Sequence, residues 1–278
     1  MGLSSNILWH QTNYNSLWNI LKTQEILCSY SVEKMASYFP IPFAFPMVSM
    51  CDLPFSEFAS YIGKYGDYSI GLSREWGLAN RFNSVWYCEK DSMVADVFRN
   101  TIKEALKNDQ IEKITPLFKL LAYIKVYEDE LPKHDYEKYR FCDEKEMRFV
   151  PSFEYMLSGN EVPVLTIEDY EIYKNNHKGS SALSYGVKFK WSHVKYIVVK
   201  EDHQIEKFRS LLLNLNKKNY QIPIFSNEQI QEDFIGIQHD RRYSHSEEYD
   251  DYQASLRHFE RLKKRLLEEL AKRQKVNN

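Results

Sequence analysis

The stretch Pro46-Met-Val-Ser-Met-Cys-Asp-Leu-Pro-Phe-Ser56 decides the fold class. Its middle, residues 47–53, has the length and apolar character of a buried strand, and Pro46 and Pro54 bound it. The preceding Phe39-Pro-Ile-Pro-Phe-Ala-Phe cannot continue a helix, because proline lacks an N–H and restricts the residue before it. After Pro54, Ser56 opens a short helix through Tyr61. Gly63, Gly66 and Asp67 then supply a turn, and residues 68–73 and 84–88 read as two more strands. Upstream, residues 7–12 read as a strand. Asn15 caps a helix carrying Leu17, Trp18, Ile20 and Leu21 at helical spacing, and residues 26–30 form another short strand. Short strands around an early helix make an α+β core.

The period changes over residues 92–127. Val94, Val97, Phe98, Ile102, Ala105 and Leu106 line one amphipathic helix, and Ile114, Leu117, Phe118, Leu121 and Ile124 line a second. The pair reads as a helical insertion at about 92–130. Strands resume at 147–150, 185–189 and 194–199, followed by a helix with Ile205, Phe208, Leu211 and Leu212. One domain over 1–225 and a helical tail over 226–278 are expected. In the tail, Leu256, Phe259, Leu262, Leu266, Leu267 and Leu270 share a face. From Ala254 onward eight Lys/Arg stand against three Glu, so the tail suits either a partner surface or nucleic acid, or simply packs on its own domain.

With 43% hydrophobic and 27% charged residues, the chain can fill a core and solvate a surface. A net charge of −2 argues against coating nucleic acid over the whole surface. Cys28, Cys51, Cys88 and Cys142 form no CxxC pair and no short Cys/His spacing, so neither a zinc framework nor a secreted disulfide scaffold is expected. With no apolar run of membrane length and no signal-like N-terminus, the expected location is cytoplasmic, without a membrane partner. P-loop, GxSxG, HExxH, GxGxxG and EF-hand patterns are missing.

The Pro46–Ser56 stretch, followed by Tyr65-Gly-Asp-Tyr-Ser-Ile-Gly-Leu-Ser-Arg-Glu-Trp-Gly77, resembles the AbiGi family pattern PMVSFCDIPLS…YGxYGIGLSKEWG. Asn83-Ser-Val-Trp-Tyr87 is similar to that family's NPVLY, with Ser84 in place of Pro. His10 and Thr12, Tyr30-Ser31 and the acidic segment from Glu144 to Phe149 match as well. The resemblance covers about residues 7–200. It implies phage defence by abortive infection, usually as the antitoxin-like half of a two-gene system with a cognate toxin or antitoxin partner.

The family's order of motifs is in turn similar to that of ADP-ribosyltransferases. That likeness implies a mixed-sheet core with inserted helices and a C-terminal helix, with NAD as substrate. His10 and Thr12 would hold the nicotinamide ribose, Tyr30 would stack the nicotinamide, and Glu146 would stabilise the oxocarbenium-like charge as nicotinamide leaves. Asp52, Ser69 and Arg148 would complete the NAD contacts, Arg148 at the pyrophosphate. Strand alternation would put Glu144, Glu146 and Arg148 on one face, and Ser69 and Ser73 toward the same cleft.

Each residue has a plainer reading. His10 can be a hydrogen-bonded structural histidine, Tyr30 one of 20 tyrosines, and Glu146 with Arg148 an ion pair. Asp52, in an apolar run, can anchor a loop by accepting backbone N–H groups. A metal-dependent nuclease built on Asp52 and Glu146 is a weaker alternative, because Arg148 stands where such sites carry lysine. If the transferase reading holds, His10, Tyr30 and Glu146 converge on one cleft; if the chain is a non-catalytic antitoxin, they do not.

Overall fold

The computed structural model describes residues 5–33, 43–58, 61–108, 111–131, 136–177, 182–215 and 221–232. The chain divides into two units, Met1–Glu228 and Gln229–Asn278, and the described strands lie in the first. From residue 233 on, the expected basic helix lies outside the described residues.

In chain order the elements are β1 (Ile7–Thr12), α1 (Tyr14–Thr23), β2 (Glu25–Glu33), β3 (Phe43–Cys51), α2 (Phe55–Phe58), β4 (Tyr68–Ser73), α3 (Arg74–Ala79), β5 (Asn83–Ser84) and β6 (Trp86–Cys88). Next come α4 (Met93–Lys107), α5 (Ile111–Leu121), β7 (Ile124–Val126), β8 (Glu128–Leu131), β9 (Tyr136–Arg140), β10 (Glu146–Phe149) and α6 (Phe153–Ser158). The series ends with β11 (Leu165–Thr166), α7 (Ile167–Asn176), β12 (Ala182–Lys188), β13 (Val194–Val199), α8 (Ile205–Leu215) and β14 (Ile224–Ser226). The main sheet runs β12-β2-β3-β1-β4-β13-β14, with β10 and β11 also pairing β3, and β5 pairing β10. Its ladders are antiparallel except β13–β14, which is parallel, so this is an α+β fold on a mixed sheet.

Strand β3 is the hub. Its first half pairs with β2 (Tyr30 opposite Pro46), its second half pairs with β10 (Glu146 opposite Cys51), and Cys51 also faces Trp9 of β1. Pro46 sits within the strand, so the ladder begins at Phe43, earlier than the apolar run alone indicates. The helix cap also moves by two residues: Asn13, not Asn15, accepts from the Ser16 amide and opens α1. The stretch expected as one strand at 84–88 is two. Val85 N–H donates to the Glu146 carbonyl at 2.9 Å, while Trp86 N–H donates to Tyr123 at 2.8 Å, so neighbouring residues serve different partners.

Alternation along β3 separates two cores. Ala44, Val48 and Met50 join Leu8, Tyr30, Ile70, Leu72 and Met147 in a cluster that also takes Leu17 and Leu21 of α1 and Phe208 of α8. Phe45 and Met47 join Ala95 and Ile102 of α4, Leu121 of α5, and Ile124 and Val126 of β7. The helices α4 and α5 with β7 therefore form a second layer on the opposite face of the hub strand. Gly66, at φ +152°, passes so close to the end of β1 that a Cβ there would lie 2.1 Å from the Thr12 carbonyl oxygen.

Candidate functional site

Directly opposed residues in antiparallel strands project to the same face, and adjacent residues to opposite faces. Trp9 and Glu146 are each directly opposed to Cys51, so the three share a face, and Arg148 shares it two residues on. Glu33, opposite Phe43 on β2, has the same parity on β3 and belongs to that side. His10 is opposite Ile70, and Tyr30 is opposite Pro46; both lie on the other side, toward the first core. The sequence-predicted His10, Tyr30 and Glu146 thus leave the sheet on opposite faces. No hydrogen bond or ion pair joins them among the described residues.

Each is held by something else. His10 Nδ1 donates to the Ser49 carbonyl at 3.0 Å, and burial lowers the imidazole pKa against the opposing pull of that bond. The Tyr30 hydroxyl donates to the Val162 carbonyl at 2.5 Å, and its ring meets Tyr173 edge-on at 4.9 Å. Burial, then Glu161, pushes the phenol pKa up. Thr12 ends β1 opposite Tyr68, and Ser69 is buried opposite Gln11. Ser73 caps α3 by accepting from the Trp76 amide. Asp52 Oδ2 accepts from Arg74 Nε at 3.1 Å, and its amide donates to the Lys145 carbonyl, which fixes the loop leaving β3. Its Oδ1 is buried without a hydrogen-bond partner among the described residues.

Glu146 and Arg148 do come together, inside a larger buried charge centre. Arg148, 0% exposed, donates from Nε to Glu146 Oε1 at 2.7 Å and from Nη2 to Oε2 at 3.0 Å. Its Nη2 also reaches Glu33 Oε1 at 2.7 Å, and Nη1 reaches the Ala122 carbonyl at 2.7 Å. Lys125 bridges Glu146 at 2.9 Å and Glu144 at 3.2 Å. Glu144 accepts further from the hydroxyls of Tyr65 and Tyr139, and the Tyr87 hydroxyl accepts from the Glu146 amide at 2.8 Å. Glu144 does not lie on the strand with Glu146: it ends a 3-10 turn, and Lys145 at φ +46° redirects the chain into β10. Lys125 comes from β7 and Ala122 directly follows α5, so the centre ties these elements to the sheet.

Electrostatics follow the geometry. Burial alone would raise the Glu146 pKa, but Arg148 and then Lys125 outweigh it and hold the carboxyl well below the usual range. Glu33 goes the other way: burial dominates the pull of Arg148 and Lys125 and raises it. Lys125 would be lowered by burial, but Glu146, Glu144 and Glu33 raise it.

The later motif-bearing segments contribute to this centre. Tyr65 opens one segment, Glu144 and Glu146 begin another, and Cys51 backs Glu146 across the ladder. The family model described as "Putative abortive phage resistance protein AbiGi, antitoxin" matches residues 25–200, a span that includes every residue of the centre. The chain belongs to the AbiGi family. An AbiGi relative, the abortive phage resistance protein AbiGi of Lactococcus lactis subsp. cremoris, is 29% identical over 147 residues, which is 46% of this chain. The match spans 57% of that relative's length. Among solved structures, Thermus sp. 2.9 DarT in complex with NAD+ aligns over 83% of this chain and 99% of its own, at 10% identity and a TM-score of 0.33.

Sequence reasoning missed Glu33, Lys125, Tyr87 and Tyr139 as members of the centre. One signal was present: Lys125 interrupts the apolar Ile124-Lys-Val126, an unusual place for an ammonium group unless it is paired. Among the described residues there is no group of three or more His, Cys, Asp or Glu able to hold a metal, and no helix long and apolar enough to cross a membrane.

A pH dependence follows from Glu146. Its folded pKa is depressed, so its contribution to stability is fully present above the unfolded value of about 4.3 and is lost as pH falls toward the folded pKa. Urea unfolding across the acid range should show this loss, and Glu146→Gln should show a shallower acid slope. Equal slopes in the two proteins would contradict the assignment of Glu146 as the ionised partner.

Proposed function

We propose that this chain acts in abortive phage resistance as the restraining, antitoxin half of a two-gene pair, by binding a cognate toxin protein. The observation that carries this reading is the state of Glu146. It is 5% exposed, both of its oxygens are engaged by Arg148 and Lys125, and it lies on the face opposite His10 and Tyr30. A carboxylate that is to stabilise charge on a substrate must reach that substrate. The basic stretch after Ala254 adds a second proposed contact, with the toxin or with nucleic acid.

A second reading is an NAD-dependent ADP-ribosyltransferase-like effector that modifies nucleic acid or protein. One observation favours it: Arg148 and Lys125 keep Glu146 ionised, which is the state an oxocarbenium stabiliser requires. In that reading His10, Thr12, Tyr30, Asp52, Ser69 and Arg148 contact NAD, and a rearrangement frees Glu146.

The test is nicotinamide release from NAD by the purified full chain, together with co-purification against the product of the neighbouring gene. The antitoxin reading expects no release and a stoichiometric complex. Release that is abolished in both Glu146→Gln and His10→Ala, with both variants still folded at the assay temperature, would replace it with the transferase reading. His10→Ala is included because Glu146→Gln also disturbs the charge centre.

A further inference from the structure

A concavity of about 530 Å³ opens where β12 meets β2, lined by Glu25, Phe149, Tyr155, Ser184, Tyr185 and Lys188 among others. It lies outside the Glu146 centre, with which it shares no lining residue. The volume falls in the range of small-molecule sites.

The local backbone is irregular here. On β12 Ala182 is opposite Ser29 and Gly186 is opposite Leu27, so Leu183, Ser184 and Tyr185 face Cys28 alone. Such a bulge re-aims side chains, and bulges concentrate beside binding sites. Gly186 allows the tight approach that results, since a Cβ there would lie 2.6 Å from the Ile26 carbonyl. Past the bulge the ladder recovers, and Glu25 and Lys188 become directly opposed on one face. Opposed side chains of opposite charge ordinarily pair. These two take part in no ion pair and no side-chain hydrogen bond among the described residues, although both line the concavity. Lys188 is held at its backbone, where its carbonyl accepts from Trp76 Nε1 at 2.9 Å. Tyr155 stands 59% exposed at the same cavity, with its ring edge-on to Tyr185 at 4.8 Å.

A carboxylate beside an ammonium, with an exposed aromatic face, is complementary to a flat ring that carries adjacent N–H donors and a carbonyl on one edge. Guanine has that edge: N1–H and the N2 amino group donate, and O6 accepts. Adenine offers one amino donor and no carbonyl. We propose that this concavity binds the guanine base of a nucleotide. Glu25 accepts from N1–H and N2, Lys188 donates to O6, and Tyr155 stacks on the ring. The proposal does not rest on the role assigned to Glu146, and either can fail without the other.

The test is calorimetric titration of the full chain with GMP and, in parallel, AMP, using the unmodified protein, Glu25→Gln and Tyr155→Ala. Both positions are partly or largely exposed, and melting curves verify that the variants fold. The expected result is saturable GMP binding at least about tenfold tighter than AMP, weakened at least about tenfold by Glu25→Gln and also weakened by Tyr155→Ala. Any of three results would overturn the proposal: no saturable GMP binding at millimolar ligand, AMP binding as tightly as GMP, or GMP binding unchanged in Glu25→Gln.

Discussion

Replacing Arg148 by Met is expected to cost about 3–5 kcal/mol of folding stability, among the largest effects of any single substitution in the chain. The guanidinium is fully buried and carries both ion pairs to Glu33 and Glu146, as well as the bond to the Ala122 carbonyl. Removing it leaves two buried carboxylates short of a cation and one carbonyl without its donor. The cost is that of stranding charges, since exchanging a whole buried ion cluster for neutral groups is often nearly neutral. The variant Glu33→Gln/Arg148→Met/Glu146→Gln should therefore recover most of the loss. Urea denaturation followed by tryptophan fluorescence measures both. A loss below about 1 kcal/mol in Arg148→Met, or no recovery in the triple variant, would show that the charge centre does not stabilise the fold in this way. Because Arg148 also grips Ala122, directly after α5, the single variant should expose α4, α5 and β7 to hydrogen exchange before the rest of the sheet.

Trp9→Ala is expected to cost a similar amount, about 3–5 kcal/mol, by a different route. The indole is 0% exposed and stacks on Phe58 at 4.1 Å between centroids, with Phe55 and Tyr196 at 5.7 Å. Its Nε1 donates to the Leu53 carbonyl at 2.9 Å, so the indole pins the start of α2 to β1. The opposed Gly71 leaves room for it, since a Cβ there would meet the indole at 3.0 Å. Truncation leaves a large cavity and an unpaired carbonyl, so the upper end of the range is expected. Trp9→Phe keeps the stack and loses only the hydrogen bond and part of the volume, so it should be clearly milder. Equal losses for Ala and Phe would mean that the bond to Leu53, rather than packing, carries the effect.

Much of the secondary structure was legible because its signals are local. The alternation in β4 and the apolar run of β13 were readable as strands, and the helical spacing of α4, α5 and α8 was readable from side chains a few residues apart, although Ile124, expected on the second helix, begins β7 instead. Several elements were missed, among them some without such a signal. α7 has no buried residue, and β11 and β14 are two and three residues long and exist because a neighbouring strand pairs with them. The candidate site divides in the same way. That Glu146 and Arg148 share a face follows from strand alternation, and the structure pairs them. Strand alternation extended to Glu144 failed, because Lys145 turns the chain between the two glutamates. Nothing local tells which face of the sheet His10 or Tyr30 occupies relative to Glu146.

The sequence by itself determined the α+β class, the helices α4 and α5 and, through the segments around Met47, Tyr65 and Glu146, the family. These depend on residue type and short-range periodicity, which the chain carries before it folds. Only the tertiary structure decided that Glu33 and Arg148, 115 positions apart, meet in one buried centre with Lys125, and that His10 and Tyr30 are excluded from it. The physical reason is register. A side chain's face is set by which residue its strand is paired against, and a slip of one position would exchange the faces. That pairing is fixed by contacts distant in sequence, with β3 joining β1, β2 and β10 at once.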